Sequence, residues 1–93
     1  MDKTIKLIVL ISGDQIIGRV TDMNHMDEFV HIESPRATHM TVDGGVGFTP
    51  YPLGIVQSKH VEIKVPRDHV TLMIEPDPEF EKDYLETILN IQL

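Results

Sequence analysis

The 93-residue chain reads as a mainly β domain closed by one C-terminal helix. Three observations predict that class. Short apolar runs at strand spacing recur from Ile5 to Ile74, parted by glycine, proline and aspartate turns. After Glu75 the apolar period becomes that of a helix. No apolar run approaches the ~20 residues that a membrane-spanning helix needs. A chain of this length holds one core, so a single domain over residues 1–93 is expected, with a β-body at 1–75 and a helix at 77–92.

The elements follow in order. Ile5-Lys6-Leu7-Ile8-Val9-Leu10-Ile11 is too apolar to alternate, which predicts a first strand covered on both faces. Ser12-Gly13-Asp14 is a turn. From Gln15 to Thr21, Ile16, Gly18 and Val20 share one face, and Gly18 inside a strand marks a bend or a close backbone approach. A polar loop at Asp22–Asp27 precedes a third strand, Glu28–Glu33, which Pro35 interrupts and Ala37–Val42 can continue. Asp43-Gly44-Gly45 has hairpin-turn chemistry, because glycine supplies positive φ. Val46-Gly47-Phe48 returns, and Pro50-Tyr51-Pro52-Leu53-Gly54 forms a loop or a broken edge strand.

Two alternating strands follow. His60–Val65 turns Val61, Ile63 and Val65 inward; Pro66-Arg67-Asp68 reverses the chain; His69–Ile74 turns Val70, Leu72 and Ile74 inward. Asp77 is a good helix N-cap and Pro78 suits the first helical position. Glu79, Glu81 and Asp83 favour the positive end of the helix dipole. Phe80, Tyr84, Leu85, Ile88 and Leu89 make one apolar stripe, which either packs on its own sheet or docks another molecule; an exposed stripe of that size is an aggregation hazard, which favours packing.

Composition restricts function. Without cysteine there are no disulfides and no thiolate metal sites, which fits a reducing cytoplasm. Met1-Asp2-Lys3-Thr4 leads straight into strand pattern, which predicts no signal peptide and a cytoplasmic location. The net charge of −7 opposes general phosphate binding. Yet Glu75–Glu86 holds six acids against Lys82 alone, a charge of −5, so residues 1–74 carry only −2. A local cationic site on the body remains compatible with that balance.

Gly13, Ile16, Gly18, Val20, Met23 and Asn24, followed by Phe29-Val30, resemble the first motif of Sm-like proteins, and Val65-Pro66-Arg67-Asp68-His69-Val70 stands where the second motif belongs. Ser12–Ile17, Glu33-Ser34-Pro35, Val46–Pro52 and Glu75-Pro76 leading to Tyr84 are similar to small Sm-like proteins encoded by tailed bacteriophages, especially those of cyanobacteria. The resemblance covers nearly the whole chain and rests on the order of short motifs. It implies a strongly bent, five-stranded antiparallel sheet, a small open barrel, that assembles head to tail into a ring of roughly five to seven subunits. It also implies oligomer contacts along Val70, Leu72 and Ile74, and single-stranded RNA held where the loops at 22–27 and 66–69 converge near the pore.

The departures bear on that activity. Sm-like proteins usually open with a helix, whereas here the helix comes last. Asn24 occupies the usual aspartate position, Glu28 that of the base-reading asparagine, and Pro66-Arg67 that of the usual Arg-Gly. A carboxylate at Glu28 repels phosphate and alters the base-edge code.

For RNA, His25, Met26, Glu28, Arg67 and His69 are the candidate residues: Arg67 to pair or stack, His25 or Met26 as stacking surfaces. The competing reading pairs Arg67 with Asp68 or Glu28. His31 and Glu33 share a strand face, but a zinc site needs three or four ligands, and His25, His39, His60 and His69 lie in separate segments, so no metal is expected. Asp43–Gly47 lacks the following helix of a phosphate cradle. Ser12, Ser34 and Ser58 have no base and orienting partner, so no enzyme activity and no cofactor are expected. Two function classes follow: a phage-encoded RNA-binding or riboregulatory ring, and an assembly ring that binds other proteins and has lost RNA binding.

Overall fold

The computed structural model describes residues 3–21, 28–51 and 62–92. The loop expected at 22–27, that at 52–54 and the first residues of the strand expected from His60 lie outside them, as does Ser58. Among them six strands form one antiparallel sheet: β1 (Lys3–Leu10), β2 (Gln15–Thr21), β3 (Phe29–Met40), β4 (Val46–Pro50), β5 (Glu62–Pro66) and β6 (Val70–Ile74). The strand order is β4-β3-β2-β1-β6, and β5 also pairs with β3. Helix α1 (Pro78–Gln92) follows β6. The mainly β class with a C-terminal helix is therefore the observed one.

Each face of the sheet carries its own core, which accounts for the unbroken apolar run of β1. On one face Ile8, Leu10, Ile16, Val20, Val30, Ile32 and Val65 are buried together. On the other, Ile17 meets Tyr84 and Ile88 of α1, with Ile5, Leu7, Phe48, Phe80 and Leu85 packed around them. The helix stripe thus lies on its own sheet; only Leu89 leaves it, at 57% exposure. Phe48 stacks at 5.3 Å from Phe80 and 6.3 Å from Tyr84, centroid to centroid. Asp77 caps the helix, accepting the Glu79 N–H at 2.9 Å.

The third strand does not stop at Pro35. Phe29–Glu33 pairs with β5, and Arg36–Met40 pairs with β4, so the two partners share one edge of β3. Ser34 and Pro35 fall in the gap between those registers and in the gap of the β2 register. A proline's missing donor costs nothing where no ladder asks for one. Ser34 takes φ 51°, uncommon for a residue with a Cβ, and this turns the strand at the join. Gly18 lies beside the same join: a Cβ there would collide with Ile32 Cγ2 and stand 3.1 Å from the Glu33 carbonyl. Close approach explains that glycine.

The last strand corrects the sequence pattern. Val70 opposes Leu10 and Met73 opposes Ile8, with a bulge between them, so Val70 and Met73 pack on the core. Leu72 and Ile74 lie on the helix side of the sheet, 48% and 41% exposed. One extra residue in a strand exchanges its faces, and period-2 reading has no sign of it.

Candidate functional surface

Two surfaces collect the residues singled out in the sequence. The first surrounds the link between β5 and β6, where Arg67–His69 forms a single 3-10 turn. The Arg67 N–H donates to the Glu28 carbonyl at 2.8 Å, tying this turn to the start of β3. Glu28, Phe29, Pro66, Arg67 and Asp68 line one open depression. Glu28 and Arg67, far apart in sequence, are therefore neighbours. His69 stands at the other end of the turn, exposed, its carbonyl accepting the Ile11 N–H at 2.8 Å. His25 and Met26 lie outside the described residues, and so do Met23 and Asn24.

The structure adds two residues to this surface. Phe29, 39% exposed, opposes Pro66 across the β3–β5 ladder. The Lys64 ammonium lies 5.4 Å from the centre of its ring, within cation–π reach. Sequence reading places Phe29 in the first motif without a ligand role and takes Lys64 as the polar alternate of its strand. The only signal for the pair is cross-strand register, and the register of strands so distant in sequence is not written in either one. Chemically the depression offers an aromatic face, the Arg67 cation and the carboxylates of Glu28 and Asp68, with Lys64 beside it over the Phe29 ring. It is close to neutral.

The second surface is the outer edge of β6. β6 pairs with β1 alone among the described strands, and its other edge meets no described strand. Of the three residues expected there, Leu72 and Ile74 are exposed and apolar, while Val70 is partly withdrawn into the core. Open backbone donors and acceptors beside exposed aliphatics form a template for another strand.

A polar cluster lies under the helix. The Tyr84 hydroxyl donates to the Ser34 carbonyl at 2.8 Å, and both residues are buried. Burial pushes the Tyr84 hydroxyl up to about 12, against the opposing pull of Arg19 and Arg36. Burial also lowers the Arg36 guanidinium from its ordinary value. Arg36 donates through Nη1 to the Pro35 carbonyl at 3.0 Å, and Arg19 Nε stands 4.0 Å from the Glu33 carboxylate. That ion pair occupies one member of the His31–Glu33 pair considered for a metal. Asp43-Gly44-Gly45 closes the β3–β4 hairpin, with Gly44 at φ 90° and the Thr41 N–H donating to Gly45 O at 2.9 Å. Those glycines serve a turn.

Comparison with protein-family models gives no match, and comparison with curated proteins gives none either.

Proposed function

We propose that this chain is the subunit of an Sm-like homo-oligomeric ring, a non-enzymatic module that assembles by adding strands edge to edge. The observation that carries this reading is the open edge of β6 with Leu72 and Ile74 exposed along it. A second open edge is needed for head-to-tail closure, and β5, paired only with β3 among the described strands, supplies it. A cyclic arrangement joins the β6 edge of each copy to the β5 edge of the next, so the contact closes on itself. Light scattering tests the reading: an oligomer of roughly five to seven subunits agrees with cyclic closure, and a monomer refutes it.

A second reading adds single-stranded RNA as the ligand, in the manner of a riboregulator in the cytoplasm of a phage-infected bacterium. Its support is the exposed Phe29 ring with Lys64 above it and Arg67 beside it. A base stacks on an aromatic face while cations follow the backbone, and a ring repeats the set around its axis. Glu28 and Asp68 weigh against tight binding, which favours the protein-binding scaffold as the ring's other use. Titration with short U-rich and A-rich RNA at low salt separates the two. Salt-sensitive binding supports RNA, and its absence leaves the scaffold.

A further inference from the structure

We propose that the groove between the β3–β4 hairpin and the β6–α1 junction receives an extended segment of a partner protein that is both apolar and basic. The groove holds about 570 Å³, enough for several side chains, and shares Ile74 with the β6 edge proposed for assembly. Leu7, Ile74 and Phe80 form one apolar side, with Ala37, Met40 and Val46 facing from the hairpin. Met40 is 74% exposed, Val46 45% and Ile74 41%, so apolar surface is left uncovered on both sides.

Charge selects the occupant. Asp14, Glu75 and Asp77 line the groove, and no lysine or arginine is among its lining residues. The contacts these acids already make leave most of the charge in place. Asp14 accepts from the Ser12 hydroxyl at 3.0 Å and the Tyr51 hydroxyl at 3.3 Å, and Asp77 from the Glu79 N–H at 2.9 Å. All three donors are neutral. Of these acids only Glu75 meets a cation among the described residues, Lys6 at 3.8 Å, and its side chain is 86% exposed, where an ion pair is weak. An acidic second copy of this chain, at net charge −7, fits that rim poorly. An extended segment with apolar residues pointing down and lysine or arginine pointing to the rim fits both features, because strand side chains alternate.

The test uses labelled peptides of alternating leucine and lysine, leucine and glutamate, and serine and lysine, read by fluorescence anisotropy with the full-length protein. The leucine–lysine peptide is expected to bind, with the other two weaker by about tenfold or more. Met40→Asp is the decisive variant. It adds attraction for a basic peptide but removes an apolar contact, so groove binding weakens by about tenfold whereas general charge attraction strengthens. Val46→Asp should act likewise, and Glu86→Gln, outside the groove, should change little. Circular dichroism confirms that each variant is folded. Equal binding of the serine–lysine peptide, or unchanged or tighter binding by Met40→Asp, overturns the proposal. So does peptide release in step with self-association, which makes a second copy the occupant. Mass measured in the same samples keeps this outcome separate from failure of the ring.

Discussion

The Tyr84 hydroxyl of α1 donates to the carbonyl of Ser34, 50 positions earlier in the chain, at the point where β3 exchanges one partner strand for another. Ser34 lies in none of the pairing registers of β3, and its positive φ sets it apart from the ladder. A buried carbonyl without a partner is costly, so the helix and the strand join stabilise each other. Tyr84→Phe keeps the ring and removes the donor. It should cost about 1–3 kcal/mol in urea denaturation, the desolvation penalty of the orphaned carbonyl.

The same hydroxyl predicts a pH dependence. Its folded-state value near 12 lies above the ordinary tyrosine value of about 10, chiefly because burial disfavours the phenolate. Between those values the folded chain holds a proton that the unfolded chain has released, so stability falls as pH rises. The contribution is complete below pH about 10 and lost as pH passes about 12. Tyr51 is also raised, by burial and by the charge of Asp14, so both tyrosines act in the same direction. The difference between the parent and Tyr84→Phe isolates Tyr84. The urea midpoint of the variant should fall less steeply over this alkaline range.

Ile88→Asp places a carboxylate between α1 and the sheet, where Ile88 is 4% exposed. A loss of a few kcal/mol is expected, because the charge would be buried beside Ile17, Tyr84 and the apolar side chains packed around them. An unchanged melting temperature would mean that the helix does not rest on its own sheet.

Gly18→Ala tests the bend. The new methyl meets Ile32 Cγ2 and the Glu33 carbonyl, and only the side chain can move aside. Destabilisation of about 1–3 kcal/mol by overpacking is expected, far beyond the small effect of alanine in a strand with open space.

Much of this architecture is legible in residue order. The doubly covered β1, the hairpin at Asp43-Gly44-Gly45 and the Asp77-Pro78 start of α1 follow from period, turn chemistry and capping, which act over a few residues. What escapes is long-range. The passage of β3 through Pro35 depends on two other strands leaving a gap there, and the face exchange in β6 depends on its register against β1. Of the RNA candidates, the structure joins Glu28 to Arg67, while the Phe29–Lys64 stack exists only once β3 and β5 are paired.

Opposite signs are expected within the Glu28–Arg67 surface. Arg67→Ala removes one cation per subunit and should weaken RNA binding with a shallower salt dependence. Glu28→Asn removes a repelling carboxylate and should strengthen it. A general loss of folding lowers affinity in both variants. If neither changes the affinity, or the parent binds no RNA at low salt, the RNA reading fails and the scaffold reading stands.

The molar mass of the parent and of Leu72→Lys by light scattering tests ring assembly most directly. Leu72 is 48% exposed, so lysine there should leave the fold intact while placing a charge on the open β6 edge. The parent should have the mass of roughly five to seven chains, and the variant, folded by circular dichroism, should shift toward monomer. A monomeric parent contradicts the ring, and an unchanged oligomer in the variant contradicts assembly through β6.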